Sequence, residues 1–154
     1  MMKRSVDITN RQELRNLLQQ LKPDTMALWG KMKPQQMVEH LVKQVEYTNG
    51  KRIPTCDKSP EEAARRKELV LRSAAEMPRN IILGELSEHY EFPDLETAIG
   101  QLLIELKAFD RYFEQPGATA IHGGFGPLNH EEWLIWHGKH FTHHFKQFGL
   151  IQEE

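Results

Sequence analysis

The stretch HGKHFTHHFKQF, residues 137–148, places four histidines among aromatic residues near the end of the sequence. Two of them, His140 and His144, are four positions apart, so on a helix one imidazole lies above the other on the same face, about 6 Å away. Two imidazoles in that arrangement can bind one divalent cation at about 2.1 Å each. Such pairs also occur by chance, so the interpretation depends on the face of the helix that carries them.

A helical projection at about 100° per residue identifies that face. Ten residues share one arc, whereas His143 falls outside it and is therefore excluded from any site. In order, the arc contains Trp136, Gln147, His140, Trp133, His144, His137, Phe148, Phe141, Leu134 and Phe145. Neighbouring buried histidines are hard to satisfy with hydrogen bonds, and metal coordination replaces the missing bonds. The pattern predicts a metal site at His140 and His144.

A third protein ligand is needed, and four other histidines are candidates for it. His130 lies about two and a half turns before His140 on the same predicted helix, too far away to share an ion. His89 lies in an irregular segment and His122 in a glycine-rich loop, and either could reach the end of a bundle. His40 lies at the margin of the apolar face of its helix, where an interhelical ligand should project. A half-exposed surface histidine is an equally good interpretation of His40 from these residues alone.

Capping patterns indicate the helices that would position these side chains. The last helix has the clearest one, because Asn129 and Glu132 form a capping box and Gly149 follows its final residues. The five predicted helices begin at Thr9 or Asn10, at Pro34, at Ser59, at Asp94 and at Asn129. They end near residues 22–24, at Asn49-Gly50, near Pro78, at Pro116-Gly117 and at Gly149.

The connecting segments give no clear strand pattern. NIILGELSEHYEF, residues 80–92, is apolar without a period, and GATAIHGGFGPL, residues 117–128, is predicted to be a glycine-rich loop. The sequence therefore predicts an all-α fold, a bundle of four core helices with the helix from Ser59 as an accessory element. The alternative is an α+β domain that uses IILGEL, residues 81–86, as a strand.

Composition limits the classes of protein to consider. The length of 154 residues fits a single domain over residues 1–154, and a net charge of −2 argues against a nucleic-acid partner. The one cysteine, Cys56, cannot form an internal disulfide, and a cysteine-rich zinc module is excluded. No apolar run approaches the roughly 20 residues that span a bilayer, and the start of the sequence lacks a signal-peptide pattern. We therefore expect a cytoplasmic protein with no membrane partner.

Three stretches of the sequence resemble the DinB/YfiT-like superfamily of metalloenzymes. LWGKMKPQQMVEHLVKQVEY, residues 28–47, resembles its metal-ligand helix, in which a tryptophan and a helix start precede a histidine followed by an apolar residue. WLIWHGKHFTHHFKQF, residues 133–148, resembles its last helix, with histidines separated by two and then three residues and a nearby glutamine. HGGFGPLNHEEW, residues 122–133, resembles a loop of an uncharacterised branch. The resemblance spans most of the chain in order, but residues 50–91 match little.

The resemblance implies a four-helix bundle with an unusual chain order and, in many members, a homodimer. It implies a divalent metal ion on His40, His140 and His144. His137 and Gln147 match the first histidine and the glutamine of the pattern, so they are candidates for supporting a ligand or taking part in catalysis. One departure is Phe145-Lys146, which stand where the pattern commonly has Arg-Gly. Trp133 and Trp136 are candidates for the wall of the pocket.

A site of three neutral histidines leaves the ion its +2 charge and at least one open position, as in catalytic zinc sites. Zinc or nickel is expected, and imidazole ligands also suit iron or manganese. The resemblance implies an enzyme acting with a low-molecular-weight thiol, of the S-transferase or isomerase type. The alternatives are a metal-assisted hydrolase and a non-catalytic bundle with a structural metal. A cationic groove beside the metal would distinguish thiol chemistry from hydrolysis, and Lys31, Lys33 and Arg111 are its candidates.

Overall fold

A computed structural model of the protein describes residues 5–73, Met77 and 88–152. Over these residues the fold is mostly helical, with a two-stranded antiparallel sheet between the last two helices. The elements are α1 (Arg11–Leu18), α2 (Pro34–Glu46), α3 (Pro60–Arg72), α4 (Leu95–Tyr112), β1 (Ala120–His122), β2 (Gly126–Leu128) and α5 (His130–Gln147). The expected helical character is confirmed. None of the described helices has the combination of length and apolar character that crossing a bilayer requires.

The helices begin where the capping patterns predict. In four of them a polar side chain accepts a hydrogen bond from a backbone N–H of the first turn, which has no partner inside the helix. These capping residues are Asn10, Ser59, Asp94 and Asn129. Helix α2 instead begins with Pro34, whose fixed φ suits the first turn and which has no N–H to satisfy.

Two reciprocal hydrogen bonds between Asn129 and Glu132 stabilise the start of α5, and they give a stability prediction. Asn129 Oδ1 accepts from Glu132 N at 2.9 Å, and Glu132 Oε1 accepts from Asn129 N at 3.0 Å. We expect Asn129→Ala to lower the free energy of unfolding by about 1 kcal/mol, because an N–H of the first turn loses its acceptor. Urea denaturation followed by circular dichroism measures the change. Asn129→Asp keeps an acceptor and serves as the control, so an equal loss in both variants would contradict the capping role.

The hydrophobic core is built mainly where α2 packs against α4. Both helices place their buried residues at intervals of three and four, so each presents one continuous apolar face. The fully buried members include Met37, Val38, Leu41 and Val45 from α2 and Ala98, Leu102, Leu106 and Phe109 from α4. Each large side chain in this set contributes roughly 1.5–3 kcal/mol by leaving water. The core thus holds α2 firmly, and α2 carries His40.

The segment predicted to be a glycine-rich loop contains a short β-hairpin, so the all-α prediction needs a correction. Ala120 pairs with Leu128, and His122 pairs with Gly126 across a three-residue turn. Gly126 has φ +72°, a left-handed conformation that glycine adopts without steric cost. Each strand has only three residues, too few for an alternating pattern to be recognised. The alternative strand at residues 81–86 lies outside the described residues, as does most of the segment from 80 to 92.

One lysine of α5 is buried although the helical projection places it away from the apolar arc. Lys146 is 5% exposed. The chain before α1 runs across this face of α5, where Val6 N donates to Thr142 Oγ1 at 2.9 Å. Lys146 lies one turn beyond Thr142 on the same face. A projection of one helix cannot show that a distant segment covers its outer face.

Candidate metal centre

Three histidines from two helices bring their ring nitrogens together. His140 Nε2 lies 2.9 Å from His40 Nε2 and 3.1 Å from His144 Nε2. The ligand atoms of the three residues all lie within 4.8 Å of one another. Helix α2 provides His40 from the margin of its apolar face, and α5 provides the other two from successive turns. The three histidines therefore lie close enough to bind a metal ion.

The protonation of the His144 ring follows from its contact with Gln147. His144 Nδ1 lies 2.8 Å from Gln147 Oε1, and Gln147 Nε2 donates to the carbonyl oxygen of Trp29 at 3.1 Å. A backbone carbonyl can only accept, so the second bond fixes which end of the amide faces His144. His144 Nδ1 therefore carries the proton and donates to Oε1. In the neutral ring, Nε2 then has a free lone pair directed at the cluster.

Burial keeps these imidazoles uncharged. It is the largest cause that lowers the pKa of His40 to about 4 and that of His144 to about 3. The pKa of His140 also lies well below its ordinary value, first through burial and then through the neighbouring His40 and His144. A neutral imidazole is the form that binds metal, whereas a protonated one cannot. At neutral pH the cluster is therefore in the state that a cation requires.

The contacts within the cluster fit a shared cation better than a set of hydrogen bonds. His144 Nε2 has no proton, so a hydrogen bond to it needs a proton on His140 Nε2, and that single proton then cannot also point at His40. Within the described residues, His140 Nδ1 is buried without a hydrogen-bond partner. Two nitrogens bound at about 2.1 Å lie about 3.0 Å apart at right angles and about 3.4 Å apart in a tetrahedral site, so the two measured contacts are close to the spacing of ligands on one ion. Two nitrogens on opposite sides of one such ion lie at most about 4.2 Å apart. The three ligand atoms lie within 4.8 Å of one another, which exceeds this limit by about half an ångström.

His137 lies on the same helix but makes its polar contact elsewhere. Its ring is fully buried among Phe109, Trp133 and Phe141. Thr48 Oγ1 donates to the carbonyl oxygen of Val45 at 2.7 Å, so it accepts from His137 Nε2, which is 3.1 Å away. Burial lowers the pKa of His137 to about 3, which keeps this ring neutral too. The structure thus directs the His137 proton toward Thr48, just beyond the end of α2.

The two tryptophans of α5 connect the cluster to the hairpin. Trp136 stacks on His140 with ring centroids 6.2 Å apart, and Trp133 Nε1 donates to the carbonyl oxygen of Ala120 at 2.9 Å. Trp136 also makes an edge contact with the His122 ring at 4.7 Å, and His122 stacks on Phe125 at 4.0 Å. The hairpin is therefore anchored beside the cluster, and the rings of Trp136, His122 and Phe125 form an aromatic wall next to His140.

Two of the three candidate cations lie in a groove near His40. Lys31 and Lys33 line a space of about 490 Å³ together with Gln36, Glu88 and Tyr90. Gln36 and His40 are four residues apart on α2, so the groove begins one helical turn from the cluster on the same face. Arg111, the third candidate, lies in the last turn of α4 and does not line this groove.

The remaining histidines lie outside the cluster. His89 and His130 are exposed, and His122 belongs to the aromatic wall. His143 contacts the rings of Trp29 and His144 but is not one of the three converging residues. Sequence reasoning missed the role of the Trp29 carbonyl, since a contact between residues 118 positions apart leaves no signal in the local pattern.

The arrangement as a whole combines three neutral imidazoles, an aromatic wall and a nearby groove with two lysines. Its donor set is that of ions that accept nitrogen ligands, such as zinc, nickel, iron and manganese. His40 is partly exposed, while His140 and His144 are 3% and 7% exposed, so solvent reaches the cluster mainly from the α2 side.

Compared with models of protein families, with curated proteins and with solved structures, the chain has no significant match in any of the three.

Proposed function

We propose that this protein is a metal-dependent enzyme that binds zinc or nickel through His40, His140 and His144. Its proposed reaction involves a low-molecular-weight thiol and is of the S-transferase or isomerase type. The observation that carries the proposal is the convergence of three neutral imidazole nitrogens, from helices far apart in sequence, within 4.8 Å of one another. Three protein ligands leave at least one position for a reactant, whereas structural zinc sites use four.

The preference for thiol chemistry rests on the charges beside the cluster. A bound divalent ion would act as a Lewis acid and favour the thiolate form of a substrate. Among the described residues that line the groove, Lys31 and Lys33 outnumber the one carboxylate, that of Glu88, so this surface favours an anionic small molecule. Trp136 would exclude water from one side of His140. The chain thus offers both a cationic groove and an aromatic wall near the cluster.

The family assignment is part of the same proposal. The motifs that resemble the DinB/YfiT-like superfamily include all three converging histidines, and that family's four-helix bundle would place its ligands on two facing helices. A homodimer is proposed on the same resemblance. Here the ligands come from α2 and α5, which is the pairing that the resemblance implies.

Thiol binding gives a direct test of the proposed chemistry. We expect cobalt-loaded protein titrated with 3-mercaptopropionate or 2-mercaptoethanol to develop sulfur-to-cobalt charge-transfer absorption in the near ultraviolet. The double variant Lys31→Ala/Lys33→Ala should weaken binding of 3-mercaptopropionate about two- to tenfold, because only this thiol carries a carboxylate. Binding of 2-mercaptoethanol to that variant should stay unchanged and provides the matched control.

The other functions predict different results. A metal-assisted hydrolase would show metal-dependent hydrolysis of 4-nitrophenyl acetate, and an added thiol would inhibit that reaction by occupying the open position. A structural metal would show neither, and its cobalt spectrum would not respond to any added thiol. Either result would overturn the proposed thiol chemistry.

A further inference from the structure

The last turn of α5 is tied to the segment Leu28–Gly30, the three residues that precede Lys31. Leu28 N donates to the carbonyl oxygen of Gln147 at 2.7 Å. The carbonyl oxygens of a last helical turn lack N–H donors within the helix, so this bond satisfies one of them from a distant part of the chain. The carbonyl oxygen of Trp29 in turn accepts from Gln147 Nε2 at 3.1 Å. Backbone groups of the segment therefore hold both the main chain and the side chain of Gln147.

Gly30 completes this contact through the absence of a side chain. A Cβ added at Gly30 would lie 3.1 Å from Gln147 Nε2, closer than ordinary van der Waals contact. Its φ of +77° is also in the left-handed region that favours glycine. A larger residue at position 30 would displace the amide group that faces His144. Position 30 is thus restricted both by its backbone and by the space beside Gln147.

We infer that the segment Leu28–Gly30 and Gln147 together position His144, so that its Nε2 lone pair faces the cluster. The Trp29 carbonyl holds the amide, Gly30 leaves room for it, and the amide oxygen holds the His144 proton on Nδ1. Gln147 and Gly30 are therefore positioning residues that act on metal affinity through His144. The Gln147 amide is neutral, so it adds no negative charge to the site. A bound divalent ion would therefore keep its full charge for interaction with a reactant.

This inference rests on the proposed metal site only for its effect on affinity. The tautomer of His144 is a property of the metal-free protein, and it can be measured whether or not any ion binds. Long-range proton–nitrogen correlation spectra of protein labelled with ¹⁵N-histidine distinguish a protonated Nδ1 from a protonated Nε2. The His144 signals are identified by their loss in His144→Ala.

In the metal-free wild-type protein we expect His144 to carry its proton on Nδ1. In Gln147→Leu, which removes the acceptor, we expect this preference to be lost and zinc affinity to fall by about 10- to 100-fold, the usual effect of removing a group that orients a ligand. Zinc affinity is measured by competition with a chromophoric chelator. A wild-type proton on Nε2 would overturn the inference, as would a Gln147→Leu variant with an unchanged tautomer and affinity.

Two matched variants separate positioning from a general loss of stability. Gly30→Ala should weaken zinc binding in the same direction as Gln147→Leu, because the new methyl group crowds Gln147. Gly117→Ala introduces the same substitution at φ +74° with nothing within 4 Å, so it should leave zinc affinity unchanged. Equal losses of affinity in both glycine variants would contradict the inference. If the wild type binds no zinc at all, the proposed function fails, and the tautomer measurement still decides this inference.

Discussion

Replacing His140 with alanine is expected to abolish stoichiometric metal binding while the protein remains folded. His140 Nε2 is the central atom of the cluster, with His40 on one side at 2.9 Å and His144 on the other at 3.1 Å. Structural zinc sites with four ligands are worth roughly 10–16 kcal/mol, so one ligand contributes about 3 kcal/mol. The affinity should therefore fall by about a hundredfold to a thousandfold.

The measurement is elemental analysis of purified protein, together with chelator competition for the residual affinity. His144→Ala should behave in the same way, because it removes a second nitrogen of the same cluster. His130→Ala is the control, since His130 lies on α5 as well but is exposed and outside the cluster. Retention of one ion per chain in His140→Ala or His144→Ala would show that the ion is held elsewhere.

Acid should unfold the metal-free protein near pH 5, which is well above the pH at which carboxylate protonation becomes important. Burial is the main cause that lowers the pKa of five histidines below its ordinary value. They are His40, His122, His137, His140 and His144. The pKa values of His40 and His122 lie at about 4, and those of His137 and His144 lie at about 3. The unfolded chain, with histidine pKa values near 6.5, therefore binds more protons than the folded chain between about pH 6.5 and pH 4.

The sign of the effect follows from this difference. Stability is fully present above about pH 6.5 and is lost as the pH falls, because unfolding lets each buried imidazole take up a proton. One histidine changes the free energy of unfolding by about 1.4 kcal/mol per pH unit in this window. Several such histidines acting together offset a typical free energy of unfolding of about 5–15 kcal/mol within one to two pH units.

Circular dichroism at successive pH values gives the midpoint, and potentiometric titration gives the protons taken up on unfolding. His137→Leu removes one buried imidazole, so it should move the midpoint to lower pH and reduce the uptake by about one proton. Thr48 keeps its bond to the carbonyl oxygen of Val45 in this variant. His130→Ala replaces an exposed histidine and should leave the midpoint where it is. A wild-type protein that stays folded below pH 3.5 without added metal would contradict the burial of these rings.

The parts of the fold that could be predicted from the sequence are those that depend on local chemistry. Asn129 and Glu132 begin α5 because they satisfy first-turn N–H groups within four residues of each other, and this pattern is visible in the sequence. The burial of His140 and His144 follows from the aromatic residues that share their arc. His40 could be placed only at the edge of α2, and the resemblance to a known family selected it from the four candidates.

Other features depend on contacts between distant segments, and the sequence does not show them. The β-hairpin has strands of three residues, and its stability comes from the Trp133 bond to Ala120 and from the aromatic wall rather than from strand propensity. Lys146 is buried on the face of α5 that the segment at Val6 crosses. Gln147 was selected by its position in a motif, but its two partners lie on opposite sides of one amide group.

The position of the cluster has a consequence for the topology of the chain. Helix α2 packs mainly on α4, and it meets α5 at His40 and His140, which are 100 residues apart in sequence. An ion shared by His40 and His140 would close a loop that contains α3, α4 and the hairpin, much as a disulfide cross-link does. Unlike a disulfide, this cross-link is reversible, and its strength follows the concentration of the free ion. The resistance of the folded chain to proteolysis would then depend on the supply of that metal.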